Sequence, residues 1–136
     1  MSWRDSLVRL ADYEVEQLRV RLAEVVDRRV EAEVNLAMLH AEAEAENYRA
    51  AADVEAGWYR LGYLEGWRTR RDQVQEQINV LLTEETGARD ALAQAFEELK
   101  KYEHLREAAV EVARQAAARV DASAMDELGA RRASAR

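Results

Sequence analysis

The sequence predicts an all-α fold: a long antiparallel two-helix coiled-coil hairpin with an apex near residues 57–66 and a C-terminal helical overhang. Three observations lead there. Alanine, glutamate, arginine and leucine dominate, 35% of the residues are charged and proline is absent, which is the composition of long helices and coiled coils. Apolar residues recur in alternating steps of three and four on both sides of a midpoint. Three of the five glycines gather at that midpoint, in GWYRLGYLEGW, residues 57–67.

The first helix is expected over residues 1–56. Its seam runs through Val8, Ala11, Val15, Leu18, Leu22, Val25, Ala32, Leu36, Leu39 and Ala43, interrupted by Arg29. The start, MSWRDSLVRLADYEVEQLRV, carries charges every few residues and has no continuous apolar stretch, so it reads as neither a secretion signal nor a membrane span. Residues 57–66 are expected to form a glycine and aromatic apex, since each glycine costs a helix roughly 1 kcal/mol relative to alanine. The second helix is expected over 67–130, with a seam through Val74, Ile78, Leu81, Ala88, Leu92, Ala95, Leu99, Tyr102, Ala109, Ala113, Ala116 and Val120 and with Glu85 and Arg106 as exceptions. Residues 131–136, RRASAR, form a basic tail, read as frayed rather than as a binding site.

Each seam is too narrow to stand alone, and folding one onto the other buries both. Facing positions in an antiparallel pair have a constant index sum, and here the sum is 114: Leu36 meets Ile78, Leu22 meets Leu92, and Val15 meets Leu99. Two seam exceptions obey the same rule, so Arg29 faces Glu85. Either this register pair holds the two helices in step, or each charge reaches water independently. Half of the sum places the fold point at Gly57. Residues 114–136 then extend past the N-terminus, carrying Ala116, Ala117, Val120, Ala124 and Leu128 as an apolar stripe that is either frayed or built for another protein.

Chemistry is absent from the pattern. The net charge of −7 and pI near 5.0 argue against nucleic-acid binding, and no cysteine is available for a disulfide or thiolate site. Gly57 and Gly62 are not followed by the lysine of a phosphate loop, His40 and His104 belong to no metal-binding spacing, and the alternating Glu42, Glu44 and Glu46 diverge on a helix. No nucleophile and base can be assembled, so the sequence predicts a non-enzyme with no catalytic residues, metal or cofactor, working through surfaces at its ends. At the apex, Trp58, Tyr59, Tyr63, Leu64 and Trp67 either dock a partner or pack across the fold as a cap.

The stretch AQAFEELKKYE at 93–103, the alanine- and arginine-rich run ending in DELGARR at 126–132, and the apex GWYRLGYLEGWRTRRDQVQEQI resemble the flagellar export proteins of the FliJ family. The resemblance covers roughly residues 57–132 well and the first arm only in length and pattern. It implies an antiparallel coiled-coil hairpin, similar to a rotary ATPase stalk, that inserts into the hexameric flagellar export ATPase and promotes its activity. It also implies contact with the cytoplasmic domain of the export gate and with export chaperones, in the cytoplasm and peripherally at the membrane through the export apparatus, flagellar rather than virulence-type. In that picture Ala116, Ala117, Val120, Ala124 and Leu128 face the ATPase and the apex docks on the gate. The competing readings are a structural coiled-coil scaffold and a holdase-type cytoplasmic chaperone.

Overall fold

A computed structural model describes residues 2–135 of the chain, apart from the side chain at position 56. They form two helices, α1 (Trp3–Ala52) and α2 (Val54–Ser134), and no strand occurs among the described residues. At the start of α1 the Asp5 amide donates to Ser2 Oγ at 3.3 Å while the Ser2 amide donates to Asp5 Oδ2 at 3.4 Å, a reciprocal capping arrangement that satisfies two otherwise orphaned donors. The carboxylate also complements the positive end of the helix dipole.

The break between the helices lies at Asp53, not at the glycines. Asp53 is the one residue between α1 and α2, and its Oδ1 accepts from the Glu55 amide at 3.0 Å, so it caps the second helix. Gly57, Gly62 and Gly66 lie inside α2 with no positive φ, and a Cβ added to any of them would meet nothing within 4 Å. The expected 57–66 apex is thus helical, and the first helix ends at 52 rather than 56. The physical reason is that a glycine only weakens a helix, whereas an aspartate supplies an alternative partner for the backbone and so specifies where a helix begins. At the far end, α2 continues past 130 into the basic tail.

The chain divides into two compact units, one of residues 16–93 and one of residues 1–15 with 94–136. In the first, α1 and α2 pack antiparallel around Val25, Ala32 and Leu39 on one side and Trp67, Ile78 and Leu81 on the other. Ala32, Ile78 and Leu81 form a cluster on which Leu36 and Val74 pack. All of these except Trp67 are seam positions expected from the sequence. Leu64 and Trp67 extend the second seam toward the turn, being half-buried and buried, respectively. In the second unit Val8, Ala11 and Val15 are buried with Ala95 and Leu99, and Tyr102, Arg106 and Ala109 are half-buried. Beyond Ala109 every described residue of α2 is exposed.

Arg29 and Glu85 do meet. Arg29 Nε donates to Glu85 Oε2 at 2.8 Å and Nη2 to Oε1 at 3.2 Å, a bidentate geometry. Glu85 is buried, at 6% exposure, and also accepts from Arg89, while Arg29 reaches back to Glu33. The Arg29 hydrogen bonds hold the Glu85 carboxyl below the ordinary glutamate range against the opposing effect of burial, with Arg89 adding to the shift. Nearer the turn, Arg60 donates to Asn47 Oδ1 at 2.8 Å, a pairing centred between 53 and 54 rather than on 57. The position of the cap accounts for the difference, since the residues closest to a reversal must pair about the reversal itself.

Two outcomes follow from this packing. Leu81→Ala removes the centre of the apolar cluster and is expected to lower stability by about 2–5 kcal/mol in urea denaturation. Because the folded Glu85 carboxyl is lowered, its contribution is complete above the ordinary glutamate range and is lost as pH falls through the folded value. In a pH series of urea midpoints, Glu85→Gln should therefore be less stable than the parent near neutrality, and the gap should close on acidification.

Candidate functional site

Two of the exposed apolar surfaces hold the residues singled out in the sequence. The first lies beside the turn, in the unit of residues 16–93. Starting α2 at Val54 places Val54, Trp58 and Leu61 at i, i+4 and i+7, on one helical face, where they are 85%, 84% and 71% exposed. Tyr59 and Tyr48 are also exposed. Of the five apex residues singled out in the sequence, Trp58 and Tyr59 stand in solvent, while Tyr63 and Leu64 are half-buried.

Trp67 differs from the other four. It is buried, and its indole Nε1–H donates to the Leu39 carbonyl at 2.7 Å. The His40 ring meets it edge-on at 5.4 Å, and the Arg71 guanidinium lies over it at 5.3 Å. Trp67 is thus enclosed between α1 and α2, with 8% of its surface exposed. Its seam position could have been recognised, because it stands one heptad before Val74. A second helix expected to begin only at 67 hides the spacing of Val54, Trp58 and Leu61, whereas Tyr48 lies in the first helix outside its seam.

The second surface lies in the unit of residues 1–15 with 94–136. Where α1 begins, a groove opens between Arg4 and the α2 residues Leu105, Ala109, Val112, Ala113 and Ala116. From there Ala116, Ala117, Val120, Ala124 and Leu128 run along the exposed helix, with Val120 67% and Leu128 50% exposed. Met125 is a further exposed apolar residue here. A lone helix in water is marginal, and local ion pairs support this one: Arg114 Nη2 to Glu111 Oε1 at 2.7 Å and Arg131 Nη2 to Glu127 Oε1 at 3.1 Å. The Arg114 hydrogen bond holds the Glu111 carboxyl below its ordinary range. Among the described residues, no group of three or more His, Asp or Glu side chains is arranged to hold a metal ion, and no helix is long and apolar enough to cross a membrane.

A sequence model of the flagellar FliJ protein matches residues 5–136. The chain belongs to the flagellar FliJ family. Two relatives, the flagellar FliJ proteins of Caulobacter vibrioides strains NA1000 / CB15N and ATCC 19089 / CIP 103742 / CB 15, are each 50% identical over 131 residues, spanning 96% of this chain and 94% of theirs. No solved structure matches the chain. The FliJ match extends through the first arm, which by sequence pattern alone resembles the family only in length and spacing.

The different surroundings of Trp58 and Trp67 give a direct check. Trp67→Ala is expected to destabilise the hairpin by about 3–5 kcal/mol, whereas Trp58→Ala should leave stability within about 0.5 kcal/mol of the parent. Denaturant titrations followed by circular dichroism distinguish the two.

Proposed function

We propose that this FliJ-family chain is a non-enzymatic stalk and adaptor of the flagellar type III export apparatus. Its overhanging end enters the hexameric export ATPase and promotes hydrolysis, and its turn end docks on the cytoplasmic domain of the export gate. Handling of export chaperones belongs to the same role. The protein works in the cytoplasm and reaches the membrane face through the apparatus rather than by insertion.

The observation that carries this reading is the seam that outlives its partner. Apolar residues continue at Ala113, Ala116 and Val120 after the last half-buried position, Ala109, and the helix bearing them continues to Ser134. Such a stripe loses hydrophobic stabilisation for as long as it faces water, so a groove or hole lined with apolar side chains is its natural complement. Membership of a flagellar family supports the reading that this complement is the export ATPase. At the turn end, the face of Val54, Trp58 and Leu61 supports docking by the same logic, with the rigid, large Trp58 as its anchor.

Mixing the chain with the export ATPase of its own organism should stimulate hydrolysis, and removing residues 114–136 should abolish the stimulation. No stimulation by the full chain would overturn the stalk reading. Trp58→Ala should reduce export and motility while the purified protein keeps its helix content and its effect on the ATPase, because the substitution touches only the turn end.

A further inference from the structure

The seams of α1 and α2 are in phase as one helix. From Leu36 the alternating steps pass through Leu39, Ala43, Glu46, Ala50, Asp53, Gly57, Arg60, Leu64, Trp67, Arg71, Val74 and Ile78 without a stutter. A reversal does not require this agreement, since each arm could carry its seam at any rotation about its own axis. Three of the positions, Asp53, Gly57 and Arg60, are exposed in the hairpin, where Arg60 reaches across the turn only to Asn47.

The turn also departs very little from helix. The Asp53 amide donates to the Arg49 carbonyl at 3.0 Å and the Gly57 amide to the Asp53 carbonyl at 3.3 Å, so helical i to i+4 bonds lead into the break and out of it. No positive φ, cis peptide or proline marks the site. Nor does packing hold it closed: no described residue between His40 and Gly66 is buried.

We propose that the hairpin opens at Asp53 into a continuous helix, and that two copies exchange α1 to form an antiparallel dimer. Each α1 then covers the α2 of the other copy with the contacts it makes within one chain, including the cluster of Ala32, Ile78 and Leu81 and the pair Arg29–Glu85. The new contacts form only where the turn used to be. There Arg60 of one copy lies opposite the seam segment of the other that carries Glu46 and Asp53, so the charges that meet are of opposite sign. Ala50, Gly57 and Leu64 complete that stretch of seam. The occupant is a second copy because its arms carry, in the same phase, the seams that already fit each other within one chain. Mass action then makes the dimer favoured at high concentration and the hairpin at low concentration.

Residue 53 is where the two forms differ in backbone, so it is the residue to vary. Glycine caps a helix almost as well as aspartate but opposes a continuous one, whereas alanine does the reverse. The association constant of Asp53→Ala, measured by light scattering over a concentration series, should exceed that of Asp53→Gly by about tenfold or more. Circular dichroism should show both variants to be as helical as the parent. Because the chain has no cysteine, arm exchange can be read chemically: an Ala32→Cys chain mixed with an Ile78→Cys chain, each also carrying Asp53→Ala, should oxidise to the mixed disulfide. Arg60→Glu sets like charges together at the new contact and should lower association. The proposal is overturned if Asp53→Ala stays monomeric at the highest soluble concentration, or if it associates without forming the mixed disulfide.

Discussion

A stripe one side chain wide must be covered along both helices, and the rest of the molecule depends on that constraint. Such a stripe buries little: Val15 and Val25 are the only large side chains fully out of water among the described residues. A seam built from Val, Ala and Leu at regular steps would accept displacement by one heptad at modest cost, because each apolar residue would meet another. Arg29 and Glu85 remove that freedom. In their observed positions both charges are satisfied by a bidentate contact, and in a displaced pairing a largely buried carboxylate would face apolar side chains. The pair is better understood as a condition on alignment than as a source of stability, since neither partner escapes its desolvation cost.

The two apolar surfaces are what this seam fails to cover, and for different reasons. At the terminal end the arms differ in length, so α2 outlasts its partner and shows the stripe to water. Near the turn the exposed face of Val54, Trp58 and Leu61 belongs to a different side of α2 from the seam, so α1 does not cover it. Trp67, only nine residues on from Trp58, lies in the seam phase and is sealed by Leu39, His40 and Arg71. Two tryptophans in one aromatic cluster thus serve opposite ends, one closing the hairpin and the other left outside it.

Much of this was legible before any coordinates. The 3–4 spacing identified the buried positions on both helices, and the opposite charges of two seam defects brought Arg29 to Glu85. The position of the turn was not legible from the same signal, because counting from the register gives the mean of all pairings, while the break obeys local chemistry at Asp53. A reading that weighed the cap preference of Asp53 above the helix penalty of Gly57 would have found it, and would then have placed Val54, Trp58 and Leu61 on one face. Whether an aromatic residue was sealed or exposed could be read only by extending the heptad phase back through the glycines to Trp67. What each surface does is not written in spacing at all, since an exposed apolar stripe records only that no described segment covers it.

Trp67 marks the last buried residue before the turn, and the region beyond it has half-buried Ala43, Glu46, Ala50, Tyr63 and Leu64 and the contact of Arg60 with Asn47. Local opening there costs less than opening of the Val25–Leu81 region, where the apolar contacts are concentrated. Within the unit of residues 16–93, strain imposed at the turn would therefore open the segment with least to lose before it reached the Arg29–Glu85 pair.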